Sequence, residues 1–233
     1  MTAPSALERL WSTPPFLIDL RDGDGSDLII AFASVGHDPA RAPSAEFVTA
    51  TAGRRALFVQ DASRSWANDP GFAPALQAAF ATVTARAPVR RVLAMGLSMG
   101  GFCALVAAHI LPVDVVLAFG PQWSVVPGAV PGEDRWARWT TGLEITRWPV
   151  APLPARGWAC LFHGGRDDLP HALRFALQPG TDQLIFPDLG HSDLMAHLKA
   201  KGGLTGLIDA ALAGDRRRLL RIATSSGGIR RRA

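Results

Sequence analysis

Residues 90–111 read RRVLAMGLSMGGFCALVAAHIL. The apolar run Val92 to Met95 leads into Gly96-Leu97-Ser98-Met99-Gly100, and a small-residue helical pattern continues from Phe102 to Leu111. This predicts strand, sharp turn and helix, with a serine at the apex and a glycine two positions to either side. A residue at such an apex sits in strained backbone, and glycines at the flanks remove Cβ atoms that would collide with the facing chain. The hydroxyl then stands above the sheet, and the Met99 N–H, which opens the helix, points into the same space. A chain with 23 glycines in 233 residues yields roughly 0.1 chance matches to G-x-S-x-G, and the flanking strand and helix supply the context that the motif needs. Phosphate-binding readings of the same glycines fail. Ser98 stands where G-x-G-x-x-G requires its second glycine, no acidic residue ends the next strand (Val115–Phe119), and no lysine follows as a P-loop requires.

A serine hydroxyl is a poor nucleophile until a base takes its proton. The histidine placed to do so is His191, in Phe186-Pro187-Asp188-Leu189-Gly190-His191, just past the last predicted strand and before a helix. His109 and His197 fall inside helical patterns, His163 ends a strand, and His171 and His37 are loop reserves. An acid is needed to hold the imidazole in one tautomer and to stabilise the imidazolium. It is sought in His163-Gly164-Gly165-Arg166-Asp167-Asp168-Leu169-Pro170, with Asp167 the first choice and Asp168 the second. The unused carboxylate would pair with Arg166 or cap the helix beginning near Pro170.

Along the chain, apolar strands alternate with helical segments. Strands are expected at Phe16–Leu20, Leu28–Phe32, Ala56–Gln60, Val92–Met95, Val115–Phe119, Trp158–Phe162 and Gln183–Phe186. Asp22-Gly23-Asp24-Gly25 reads as a hairpin turn between the first two. Helices are expected at Phe72–Ala87, stopped by Pro88, and near His171–Leu177, Ser192–Lys199 and Leu204–Ala213. The fold class that follows is α/β, a mostly parallel central sheet with helices on both faces. Residues 121–156 break the rhythm with Pro121, Pro127, Pro131, Pro149, Pro152 and Pro154 and with Trp123, Trp136, Trp139 and Trp148. A connection that long is read as a cap over the C-terminal edge of the sheet, with Trp123 and Trp136 as substrate contacts. The expected organisation is one domain over residues 1–215, including the cap, then a basic tail over 216–233.

The chain order Ser98, Asp167 or Asp168, His191, together with Gly96–Gly100, His163–Asp168 and Gly190-His191, resembles the α/β-hydrolase fold family over nearly the whole chain, from about Phe16 to Ala213. The resemblance implies a nucleophile, an acid and a histidine on the loops after successive late strands. It departs at the loop after the strand ending at Phe32, where many members carry a His-Gly-Gly run and this chain has Ala33-Ser34-Val35-Gly36-His37. The oxyanion donors implied are the Met99 N–H with that of Ala33 or Ser34. The segments ALFVQDASRSWANDPGF and AFGPQWS also resemble bacterial hydrolase-like proteins associated with polysaccharide biosynthesis.

Composition bounds the rest. Seven arginines and no acid lie in residues 216–233, leaving 17 bases against 20 acids elsewhere, so the net charge of +4 belongs to the end of the chain. That end is read as a solvated, partly disordered terminus. The body shows no basic stripe with interleaved aromatics, so nucleic-acid binding is not expected. No apolar stretch reaches membrane-spanning length, and MTAPSALERLWSTPPF lacks a basic start and an apolar signal core. A cytoplasmic location is the default expectation. Cys103 and Cys160 read as small core hydrophobes, and the histidine spacing matches no metal motif, so neither cofactor nor metal is expected. The function expected is hydrolysis of a small-molecule ester or thioester through an acyl-enzyme. The alternatives are an acyltransferase, or a binding module for carbohydrate or protein in which Ser98 is idle.

Overall fold

Alternation along single strands explains the layering. The computed structural model describes residues 7–145 and 147–232. In strand Asp24–Phe32, Leu28, Ile30 and Phe32 enter one hydrophobic cluster while Ile29 and Ala31 enter the other, on the opposite face. The elements are β1 (Glu8–Trp11), β2 (Phe16–Arg21), β3 (Asp24–Phe32), β4 (Arg54–Asp61), α1 (Phe72–Arg86), β5 (Arg91–Leu97), α2 (Met99–Ala107), β6 (Val115–Phe119), α3 (Ala137–Thr140), β7 (Trp158–Gly164), α4 (Leu169–Ala172), β8 (Thr181–Phe186), α5 (Leu194–Ala200), α6 (Gly203–Ala213), α7 (Arg216–Ser225) and β9 (Ile229–Arg230). The strands form one sheet in the order β1-β2-β4-β3-β5-β6-β7-β8-β9. Helices α1 and α2 pack on one face, and α5, α6 and α7 on the other.

β4, β3, β5, β6, β7 and β8 run parallel, so their carboxyl ends share one edge. Register aligns Phe32 with Gly96, Leu97 with Phe119, Phe119 with Phe162 and Gly164 with Phe186. The loops bearing Ala33, Ser98, Gly120, Asp168 and His191 all leave from that edge, which is where open α/β sheets gather functional groups.

Three expectations are corrected. β2 and β3 are not a hairpin, because β4 lies between them, antiparallel to β2 and parallel to β3. The turn at residues 22–25 therefore crosses over rather than folding back, and a Cβ on Gly23 would meet the Arg54 backbone carbon at 2.3 Å. The helix expected at His171–Leu177 is the single turn α4, ending at Ala172. Residues 216–232 are not a loose terminus. α7 packs on α6 through Leu219 and Ala223, and β9 pairs antiparallel with β8. Arg216 (2.6 Å) and Arg230 (2.7 Å) both reach the buried Asp182 carboxylate, which also accepts from the Trp158 indole at 2.9 Å. Two of the seven arginines thus form a structural clamp.

Within 121–156, α3 is the one helix among the described residues, and no described helix is long and apolar enough to cross a membrane. The first six residues of the chain, part of the segment searched for a leader, lie outside the described residues.

Candidate active site

Ser98 has φ 57° and ψ −122°, a conformation L-residues avoid at a cost of about 1–3 kcal/mol unless the surroundings impose it. The surroundings do impose it. Its N–H donates to Phe119 O at 2.7 Å, and its carbonyl accepts from Phe102 N–H at 3.1 Å. Both motif glycines are steric necessities: a Cβ on Gly96 would lie 2.2 Å from the Gly100 carbonyl carbon, and one on Gly100 would lie 2.3 Å from Phe32 O. The Met99 N–H is the first of α2 and has no intrahelical acceptor.

The loops after β7 and β8 meet backbone to backbone. A Cβ on Gly164 would sit 2.6 Å from the Gly190 carbonyl carbon, which explains the glycine before each of the two predicted site segments. This contact brings His191 to Asp168. Its Nδ1–H donates to Asp168, with Oδ2 at 2.9 Å and Oδ1 at 3.0 Å, which leaves Nε2 as the basic nitrogen. The order expected for the two aspartates is thus reversed. Asp168 is buried and holds the ring, while Asp167 is more exposed and accepts the His191 backbone N–H at 2.7 Å. The reason is local: Asp168 stands at the N-cap position of α4 but its side chain makes no cap bond and is directed inward to His191, whereas Asp167 lies one residue earlier and is more exposed. Burial alone would raise the Asp168 pKa. The His191 hydrogen bond and the charges of His191, His163 and Arg135 outweigh it and hold the carboxyl below its usual range.

The imidazole lies over Gly120, where a Cβ would be 2.9 Å from its Cε1 and Nδ1. Gly120 directly follows Phe119, the acceptor of the Ser98 N–H, so the ring and the Ser98 turn share one corner of the sheet edge. The hydroxyl is not hydrogen-bonded to the imidazole in this state. Ser98 Oγ accepts instead from Gln122 Nε2 at 2.9 Å.

The two oxyanion donors expected after β3 are engaged elsewhere. The Ala33 N–H donates to Val59 O at 2.9 Å, and Ser34 gives both its N–H (3.1 Å) and its hydroxyl (2.5 Å) to Glu46 Oε1. Burial raises the Glu46 pKa although Ser34 donates to it. A cavity of about 410 Å³ opens here, lined by Ser34, His37, Glu46, Leu97 and Lys199.

Besides Gln122, the segment 121–156 reaches the site through Arg135 and Trp136. Arg135 Nη1 donates to Asp168 Oδ1 at 3.1 Å, and the Trp136 ring packs edge-on against His191 with centroids 5.0 Å apart. Glu133 joins the same group, accepting from Arg135 and from His171 Nε2 at 2.9 Å. Trp123 is not brought to the imidazole: its N–H donates to His171 Nδ1, and Arg174 lies over its ring. His163 is fully buried, donates to Pro121 O at 3.2 Å, and is pushed down to about 4 by burial. Among the described residues no group of three or more His, Cys, Asp and Glu side chains is placed to hold a metal. Cys103 and Cys160 are buried and free.

Solved structures settle the architecture. An esterase of Pyrococcus furiosus superposes with a TM-score of 0.58 over 94% of this chain and 91% of its own, at 11% identity. The chain has the α/β-hydrolase fold. A lidless α/β serine hydrolase of Xanthomonas campestris shares this α/β-hydrolase architecture at TM-score 0.53 and 17% identity, covering 88% of this chain and 93% of its own. So does a capsule O-acetyltransferase of Neisseria meningitidis serogroup A, at TM-score 0.55 and 14% identity, covering 83% and 92%. No protein-family model and no curated protein sequence matches the chain. Within the α/β-hydrolase fold, Gln122, Trp66, Arg135 and Glu133 are the site residues that sequence reasoning missed. The available signal was the position of Gln122, three residues past a strand that ends beside the elbow.

Proposed function

We propose that this protein acts on esters or thioesters by acyl transfer, with Ser98 as nucleophile, His191 as base and Asp168 as the acid that orients it. The observation that carries this reading is the imidazole–carboxylate pair stacked over Gly120, next to a serine held at φ 57°. Ser98 Oγ attacks the carbonyl carbon as its proton passes to His191 Nε2, and the carbonyl π pair becomes an oxyanion beside the Met99 N–H. Collapse breaks the bond to the leaving group, which takes the proton from His191. Water, deprotonated by the same nitrogen, then attacks the acyl-Ser98 ester and releases the acid.

Ester hydrolysis is supported by the esterase and serine hydrolase neighbours. A second reading, in which an alcohol replaces water as acceptor, is supported by the cavity of mixed polar and apolar lining beside Leu97 and by the O-acetyltransferase neighbour. The test is labelling with a fluorophosphonate and hydrolysis of p-nitrophenyl acetate by the pure protein. Labelling should map to Ser98, and Ser98→Ala should lower the esterase rate by a factor on the order of a thousand or more. Failure of both reactions in the unmodified protein sinks the enzymatic reading in favour of a binding module.

A further inference from the structure

The sheet edge leaves the nucleophile short of one donor. The Ala33 and Ser34 amides are engaged by Val59 and Glu46, so among the groups expected from sequence only the Met99 N–H still faces the site. Gln122 occupies the space beside Ser98. Its side chain is buried, its Nε2 lies 2.9 Å from Ser98 Oγ, and its Oε1 accepts from the Trp66 indole at 3.0 Å. An indole N–H can only donate, so it fixes which end of the amide faces it: the carbonyl turns to Trp66 and the NH₂ to the serine. A donor at Oγ also requires the hydroxyl to offer a lone pair there, which directs its own hydrogen away from Gln122 and leaves it for the imidazole.

The orienting arm is built rigidly. Trp66 is fully buried at φ 49°, in the loop after β4. The Asp61 carboxylate accepts from the N–H and hydroxyl groups of Ser63 and Ser65, and the Asn68 side chain donates to Ser65 O and Trp66 O. The Asn68 Oδ1 accepts from the Trp148 N–H at 2.8 Å, which ties the same loop to the segment 121–156. A buried polar network with each member paired holds a side chain to one orientation.

We propose that Gln122 is a catalytic residue whose amide, aimed by Trp66, donates to Ser98 Oγ in the free protein and to the carbonyl-derived oxyanion, beside the Met99 N–H, in the tetrahedral intermediate. This rests on Ser98 being the nucleophile. The oxyanion and Oγ are then bonded to the same carbon, so a donor placed on one reaches the other through a small rotation of the amide. Gln122 gives up no proton: the hydroxyl hydrogen goes to His191 Nε2, and the new Oγ–C bond forms as the carbonyl π pair moves to oxygen. Trp66 is a positioning residue.

The test compares Gln122→Leu, Trp66→Phe and the unmodified protein in p-nitrophenyl acetate hydrolysis, in fluorophosphonate labelling and in inhibition by phenylboronic acid, whose serine adduct is tetrahedral and anionic. Loss of one oxyanion donor predicts a kcat lower by about 10²–10³ for Gln122→Leu with KM little changed. Phenylboronate affinity should fall by a similar factor. Trp66→Phe, which keeps the amide but frees it to turn, should lose roughly tenfold, one unorienting hydrogen bond's worth. A packing role alone would not move boronate affinity in step with kcat. The proposal is overturned if Gln122→Leu keeps kcat within threefold, or loses kcat with boronate affinity intact. If the unmodified protein takes no fluorophosphonate at Ser98, the nucleophile reading falls first and this one with it. Full labelling of the unmodified protein with an active Gln122→Leu defeats this one alone.

Discussion

Gly120→Ala is the perturbation that most directly probes the convergence of the site. The added Cβ would lie 2.9 Å from His191 Cε1 and Nδ1 and 3.2 Å from Asp168 Oδ2. Carbon contacts settle at about 3.5–4.0 Å, so the ring must retreat by roughly 0.6–1 Å. A misplacement of about 1 Å at a reacting group costs on the order of a hundredfold, equivalent to about 2.7 kcal/mol of barrier. A second cost is unrelated to chemistry: φ is +53° at this position, and an alanine there loses about 1–2 kcal/mol of stability. Gly202→Ala separates the two. It has φ +65° with nothing within 4 Å of its would-be Cβ, so it carries the backbone cost without the collision. Both variants should therefore show lower urea midpoints, and only Gly120→Ala should lose p-nitrophenyl acetate hydrolysis, by about a hundredfold. If Gly120→Ala folds and turns over at the unmodified rate, the imidazole is not needed where it lies, and the assignment of His191 as base is wrong.

Asp168→Asn should lower kcat by about 10³–10⁴ by presenting the wrong partner to His191 Nδ1, whereas Asp167→Asn should cost less than tenfold; equal losses would contradict the pairing seen. Buried His163, pushed down from 6.5 to about 4, binds its proton more weakly folded than unfolded, so its contribution is full above pH 6.5 and is lost as pH falls toward 4. The loss amounts to about 3 kcal/mol, and burial of His171 pushes in the same direction. His163→Gln should flatten the urea midpoint against pH over that window, and an unchanged slope would refute the linkage. Asp182→Asn, which leaves Arg216 and Arg230 without their shared carboxylate, should cost about 1–3 kcal/mol in a chemical melt, discounted for the partly exposed arginines. Ending the chain after residue 215 should be worse, because it also bares the edge of β8.

The strand–elbow–helix unit, the placing of Ser98, Asp168 and His191 on loops just past parallel strands, and the parallel core were all legible in sequence, because each rests on local patterns: apolar runs of strand length, glycines where a Cβ cannot fit, and loop residues just past a strand. The hairpin reading failed because strand pairing is non-local. Residues 22–25 look like a turn whichever strand lies beside β2, and the partner of β2 came from further along the chain, with Arg21 opposite Ala56 and Phe16 opposite Asp61. The arginine-rich end looked like a solvated tail because composition does not reveal that Asp182, buried in β8, faces two of those arginines.

By itself the sequence determined that a serine would stand at a strained apex at the end of a parallel sheet, with a histidine and two aspartates on loops that leave the same edge. Only the tertiary structure decided which neighbours face it. Asp168 rather than Asp167 turns inward, the amides after β3 bond to Val59 and Glu46, and a glutamine aimed by a distant tryptophan takes the place beside the hydroxyl. The physical reason is that backbone strain and strand pattern are written in consecutive residues, whereas a hydrogen bond goes to whatever group the packed chain brings within about 3 Å.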